Sequence, residues 1–414
     1  MTQWSPIWKV EIDGVSYTTA ILSNLVIRSG RTNIYEQANA GYVNISLLDV
    51  NQAIIPVSIN STLSVSIKDT SGTYVAIFGG NVVDIGIEVR DVGSVAFTQT
   101  YTITALGALA RLPKFLTDGV LAKKLDGLQI ADVLREVLFA SWAQVAGAET
   151  WASYDPTITW ANAENNGYGE IDTGNYELAA RTSSRTDVYS LVSALATSGA
   201  GTIGEDSAGR IFYADSTHRS TYLSTNGYTD LDANQARATG LKIETRAGDV
   251  RNSLTVKYNA TSSAEESASD ATSIAQYGTL AQIITTTLHN SADALSQAEF
   301  YLSLRKQPQP IFSQITFDLT NPELDNADRD DLINIFMGQP IALVNLPLNM
   351  SSGAFQGFVE GWSFQASFNQ LSLTLLLSPL AYSLQAMNWG DVPITETWLS
   401  VSPTLDWENA TIVA

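Results

Sequence analysis

The stretch Phe78-Gly79-Gly80-Asn81-Val82 has an echo near the other end of the chain, Phe355-Gln356-Gly357-Phe358-Val359. The surroundings match in order. Leu63, Val65 and Ile67 alternate with Ser64 and Ser66 ahead of Ser71-Gly72, and a strand-like run over 341–346 precedes Ser352-Gly353. A further strand with Phe-x-Gln follows each, at Phe97–Gln99 and Phe368–Gln370. Alternation with a period of two is the mark of a half-buried strand. Phe-x-Gly-x-Val alone is a common strand pattern, so the order of three matches carries the inference. It points to a duplicated β unit at the two ends of the chain.

The same period governs the rest of the first 112 residues. Trp8, Val10 and Ile12 alternate with Lys9 and Glu11. Asp13-Gly14 then turns the chain into Val15-Ser16-Tyr17, because Asp-Gly accepts the positive φ of a tight hairpin. Val43, Ile45 and Leu47 form another strand, and Thr98–Thr104 places Thr on one face with Tyr101, Ile103 and Ala105 on the other.

Helical spacing appears next. Ile130, Val133, Leu134, Val137 and Leu138 predict a helix over 127–140, with Asp126 near its N-cap. Val188, Leu191, Val192 and Leu195 predict another over 187–198, closed by Gly199 at C′. A loop-rich stretch lies between them. Strands return from about 240, with a polar linker expected at 261–273 and helices at 291–305 and 326–337. The expected domains are a β-barrel over 1–112, a mixed α/β module over 113–238 with an insertion at 141–180, a second β-barrel over 239–382, and a Trp-bearing tail over 383–414. The fold class is mainly β (α+β).

Composition narrows function. The 414 residues hold 22 Lys plus Arg against 42 Asp plus Glu, for a net charge of −20. Phosphate contacts need clustered Lys and Arg, so specific nucleic-acid binding is disfavoured. With no Cys and 2 His, thiolate metal sites, disulfides and a multi-histidine metal site within one chain are excluded. Met1–Pro6 has neither a basic nor an apolar leader region, and no run reaches the ~18 apolar residues of a membrane helix. A soluble chain made in the cytosol is expected.

The layout resembles the tail hub, or baseplate hub, of tailed bacteriophages and related injection machines. The resemblance rests on Gly41 followed by Val43-Asn44-Ile45-Ser46-Leu47-Leu48-Asp49, on Phe78-x-Gly80-x-Val82-x-Asp84, and on the strand leading into Ala105–Leu112. It continues through the helix at 187–198 and Gly204–Phe212, Ser273–Gly278 and Gly357–Gly361. Thr397-Trp398 and Asp406–Asn409 also look like siphophage minor tail proteins. It covers most of 1–380 as a succession of elements, with 141–180 matching nothing. The resemblance implies two similar barrels per chain and a homotrimer forming a pseudo-sixfold ring. Such a ring would adapt a sixfold tail tube to a threefold spike or fibre. Its implied partners are the tube or a distal tail ring, a tape-measure protein and a fibre or spike. DNA would pass through the lumen without specific binding, and the protein would reside at the virion tail tip. No catalytic residue, metal or cofactor is implied.

Several sharper readings compete with this. Gly199-x-Gly201-x-x-Gly204 has the spacing of a dinucleotide fingerprint, but it follows a helix and leads into a hairpin turning near Asp206–Gly209. Asp325, Asn326, Asp328, Asp330 and Asp331 lack the Gly and Glu of a calcium loop and suit an acidic helix start. His218 and His289 lie outside any hydrolase or zinc motif and are expected at the surface or at caps. Asp155, Glu164, Glu170 and Glu177, with Tyr176 and the candidate glycan contacts Trp151, Trp160 and Tyr168, form the best alternative: a tail-associated wall hydrolase or a carbohydrate-binding adhesin. Trp389, Trp398 and Trp407, nine apart in a Pro-broken segment, read as docking groups for a partner.

Overall fold

The computed structural model describes residues 4–17, 21–49, 55–89, 98–141, 171–235, 241–259, 264–312, 314–350, 353–367, 370–383, 386–387 and 412–413. The first unit contains β1 (Trp8–Ile12), β2 (Val15–Ser16), β3 (Ile21–Gly30), β4 (Asn39–Asp49), β5 (Thr62–Lys68), β6 (Tyr74–Val89) and β7 (Gln99–Leu106). Asp13 and Gly14 both take positive φ, 49° and 76°, in the β1–β2 turn, as Asp-Gly predicts. On β4 every second residue from Gly41 to Asp49 is buried, which fixes the face the strand turns to the core.

The middle of the chain supplies α1 (Asp126–Ser141), α2 (Val188–Ser198), the hairpin β8 (Thr202–Glu205) and β9 (Ile211–Ala214), α3 (His218–Asn226) and β10 (Thr229–Asp232). The Asp187 side chain caps α2 by accepting from Ser190 N. Gly199 has φ −80°, and the left-handed position falls on Ala200 at φ 52°. Gly199 is glycine for space instead: a Cβ there would overlap the Asp126 carboxylate.

Beyond it, β11 (Ser253–Lys257), β12 (Glu265–Ser269) and β13 (Ala281–Thr285) form a small sheet in the order β12-β11-β13. The polar linker expected at 261–273 is thus a strand followed by α4 (Ala271–Tyr277). Glu265–Ser269 has no apolar face to announce it. It is an edge strand, and it forms because β11 offers a backbone edge to pair with. Against this sheet packs α5 (Ser291–Arg305), capped by Asn290.

The second unit comprises β14 (Gln314–Asp318), α6 (Asn326–Ile333), β15 (Pro340–Val344), β16 (Phe355–Ser367) and β17 (Gln370–Pro379). The helix stops at Ile333, short of the expected 337, with Asn334 as its C-cap.

Four strands of the two units agree residue by residue. Val65 faces Phe78 and Leu63 faces Gly80; Leu343 faces Phe355 and Ile341 faces Gly357. Val82 pairs with Ala105, the register slips, and Asp84 pairs with Thr104. Val359 pairs with Leu377, the register slips, and Gly361 pairs with Leu376. Thr104 and Leu376 in turn face Asn44 and Gln314. Gly80 and Gly357 even share a reason: a Cβ on either would overlap a carbonyl of the next strand, Leu106 O or Ser378 O. Each unit then ends in a 3-10 turn, beginning at Ala108 and at Leu380. The third echo is one residue out, because in this register Gln99 matches Leu371.

The expectation of two barrels needs correction. The units share one 12-stranded sheet, and among the described residues its pairings form an open path of ten strands from which β17 and β14 branch at β16, with no closed barrel. The reason lies in β3. It hydrogen-bonds antiparallel to β4 on one side and to the outer half of β16 on the other, Leu25–Gly30 against Gly361–Ala366. The edge that closure of a unit would use is taken by the other unit. β10 joins the same sheet, parallel to β15. Among the described residues no helix is long and apolar enough to cross a membrane.

Candidate functional site

The seam between β3 and β16 is where the two ends of the chain become one body, and the local sequence shows how. Gly30 (φ 85°) lies opposite Gly361. A Cβ on Gly30 would overlap Glu360 O, and one on Gly361 would lie 2.7 Å from Arg31 O. The backbones approach so closely that side chains are excluded on both strands.

The bulge after Val359 turns Glu360 inward, where it is 1% exposed. Its carboxylate accepts from Arg31 Nε at 2.6 Å, from Arg219 Nη1 at 2.7 Å and Nη2 at 2.9 Å, and from Ser378 Oγ. Burial alone would raise the Glu360 pKa; Arg219 and Arg31 more than offset it, and the pKa falls to about 2. Burial conversely lowers the Arg31 pKa, against the pull of Glu360. One carboxylate therefore ties β3, α3 and β16 together.

Beside this cluster lies a cleft of about 170 Å³ lined by Arg31, Arg219, Tyr35, Tyr301, Arg305 and Tyr382, among others. The Arg305 guanidinium stacks on Tyr382 at 4.1 Å and Tyr35 at 4.6 Å, and donates to Tyr35 Oη at 2.9 Å. These contacts orient a cation across the seam.

Two further buried acids hold the middle module to the first unit and to itself. Glu205, at the end of β8, accepts from Gly41 N at 2.7 Å and from Leu109 N. Burial raises its pKa to about 8, although those two N–H groups pull it down. Gly41 and Gly107 leave the room it occupies. Asp126, opening α1, accepts from Tyr176 N at 2.8 Å and from Tyr213 Oη. Its pKa is raised to about 6 by burial, against the hydrogen bonds from Tyr213 and Tyr176.

The residues singled out by sequence fall as follows. Gly199, Gly201 and Gly204 sit at the end of α2 and the start of the β8–β9 hairpin, as expected, with the turn over Asp206–Gly209. Asp325 caps α6 by accepting from Asp328 N at 2.9 Å, and Asp330 accepts from Thr70 N at 2.8 Å in the β5–β6 turn. Among the described residues no group of three His, Asp or Glu side chains could hold a metal ion.

His218 is partly buried at the start of α3, with Nδ1 2.8 Å from Asp172 Oδ2. His289 precedes the α5 cap and donates its backbone N–H to Glu177 O. Glu177 itself pairs with Lys123 at 3.0 Å. Trp151, Asp155, Trp160, Glu164, Tyr168 and Glu170, and likewise Trp389, Trp398 and Trp407, lie outside the described residues.

Sequence reasoning missed Glu360, Arg31, Arg219 and Glu205. A Glu in the middle of the Phe355–Trp362 run was the available signal, since a carboxylate in so apolar a strand needs a cation.

A topology in which one strand welds two in-register units into a single sheet is specific enough to compare. The fold is that of prophage tail proteins. The 43 kDa tail protein of prophage MuSo2 from Shewanella oneidensis superposes with a TM-score of 0.52 at 11% identity, over 90% of this chain and 98% of that one. A tail protein from Neisseria meningitidis MC58 gives 0.57 at 10% identity, over 92% and 98%. Prophage tail protein gp18 from Listeria monocytogenes EGD-e gives 0.50 at 8% identity, over 90% and 95%. No protein-family model and no curated protein matches the chain. At such identities the likeness lies in the fold and its element order.

Proposed function

We propose that the chain is a structural tail-tip or baseplate hub protein, assembled as a homotrimer. Three chains with two in-register units each present six similar lobes, so one ring meets a sixfold tube on one face and a threefold spike or fibre on the other. The observation that carries this reading is the matched register of four strands at the two ends of one chain, bulge included. The fold shared with prophage tail proteins supports it.

The role is assembly and symmetry adaptation. The buried Glu360 cluster holds the two units at a fixed angle, which a pseudo-symmetric ring requires. The remaining partners are the tube or distal tail ring, a tape-measure protein, and a fibre or spike at the virion tail tip. DNA passes through the lumen during ejection without specific binding.

Electron microscopy of the purified chain, averaged without imposed symmetry, tests the reading. A threefold ring with six similar lobes and a central opening is the expected image. A closed particle of any other symmetry would overturn it.

A further inference from the structure

We propose that the outer half of β6, Asp84–Val89, is a docking edge for a second copy of this chain. The inference rests on the ring reading above and names the surface through which the ring forms.

The matched register makes the argument quantitative. Past the shared bulge, Ile85, Ile87 and Val89 occupy the places of Trp362, Phe364 and Ala366. In the second unit those three are each 1% exposed, in the half of β16 that β3 flanks as the neighbouring strand. In the first unit, among the described residues, the same half-strand pairs with β7 alone, since β5 reaches no further than Asn81. Ile87 is then 59% and Val89 48% exposed among the described residues. Asp84, Gly86 and Glu88 are exposed as well.

So the same segment is core in one repeat, while in the other Ile85 is only partly buried against the core and Ile87 and Val89 are bare. A strand edge unpaired among the described residues and carrying an Ile-x-Ile-x-Val stripe is a template for another strand; Asp84, Glu88 and the bulge guard it against indiscriminate pairing, while Ile87 and Val89 leave an apolar surface for a partner. The partner's chemistry follows from the intrachain copy of the site. It must bring an antiparallel strand over about six residues and an apolar face, as Leu25–Gly30 does for β16.

This chain carries the complementary mismatch too. β14 holds the place of β4, yet β4 pairs on both edges whereas β14 pairs only with β17 among the described residues. Among the described residues one edge in each unit lacks the neighbour its counterpart has, and the two edges are different. Pairing of these two edges between copies is a head-to-tail contact, the kind that builds a ring when its rotation closes, and not a face-to-face dimer.

The test uses the full chain and the variant Ile87→Glu. Ile87 is exposed in the single chain, so the variant folds, which its circular-dichroism melting curve verifies. Light scattering across a concentration series reads association. The expected result is a self-associating wild type and at least about tenfold weaker association in the variant, the effect of putting a charge on a buried interface anchor. Hydrogen exchange supplies an independent reading: peptides over 84–89 gain protection in the associated form relative to the dilute chain.

Association of I87E equal to wild type, with no gain of protection over 84–89, overturns the surface and leaves the ring standing on another contact. In the dilute chain β7 already protects alternate amides of 84–89; protection there of the remaining amides, those on the outer edge, means that the chain's own segments cover the edge, and also overturns the inference. A wild type monomeric at every concentration overturns the ring reading, and this inference with it.

Discussion

Val83 and Glu360 occupy the same place in two copies of one β-bulge, yet Val83 is 38% exposed and Glu360 is 1% exposed between two arginines. The bulge adds a residue to one strand and re-aims its side chain. In the first unit the re-aimed residue faces outward; in the second it faces the seam with β3. Glu360→Gln keeps the shape and removes the charge, leaving Arg31 and Arg219 buried without a counter-ion. The expected loss of stability is about 3–5 kcal/mol, read from urea unfolding midpoints. An E360Q chain as stable as wild type would show that the cluster does not hold the seam.

The same residue sets an acid limb. Glu360 falls from an ordinary 4.5 to about 2 in the folded chain. Its contribution is complete above pH 4.5 and is lost as pH falls through about 2, because the unfolded chain takes up the proton first. Unfolding free energy measured between pH 5 and 2 therefore declines in the wild type. In E360Q the component from this group is absent, and the two curves converge toward low pH.

Glu205 has the opposite sign. Its carboxyl is raised from 4.5 to about 8 by burial, so between those values the folded chain holds a proton that the unfolded chain has released. Stability from this group is complete below pH 4.5 and is lost as pH rises through about 8. Glu205→Gln cannot ionise, so its stability changes less between pH 5 and 8 than that of the wild type. The amide accepts well with one oxygen only, and Gly41 N or Leu109 N loses its partner, at a cost of about 1–3 kcal/mol. Parallel pH profiles of the two proteins would refute this assignment.

The legible parts of this fold are those where neighbours in sequence are neighbours in space. Alternation placed Val43–Leu47 on the correct face, and in the 98–104 strand it placed Tyr101 and Ile103 in the core but missed that Thr100 is buried too; Asp13-Gly14 marked its own hairpin. The acidic helix start at Asp325 was equally local, whereas the caps at Asp187 and Asn290 emerged only with the structure. The seam was not legible. Arg31 meets Glu360 across 329 residues, and no local period encodes which edge of β16 will be free to receive β3. Read by parity from Phe355, Gly357 and Val359, Gly361 and not Glu360 would face the core. The bulge breaks that parity, and a bulge is a tertiary feature. Glu265–Ser269 failed for a related reason: a polar edge strand exists only because of the strand beside it.

Gly80 and Gly357 give a test of the repeat itself. A methyl group on either would overlap a backbone carbonyl on the adjoining strand, Leu106 O in one case and Ser378 O in the other, and would crowd Phe78 or Phe355. Neither glycine has a positive φ, so the cost of alanine is steric and not conformational. Carbonyls within a paired strand cannot swing aside as a side-chain tip does. Gly80→Ala and Gly357→Ala are each expected to cost about 1–3 kcal/mol by overpacking. The seam lies beyond the bulge from both sites, so the two costs should agree within experimental error in urea unfolding. A large cost at one site with none at the other would mean that the shared register does not extend to shared packing.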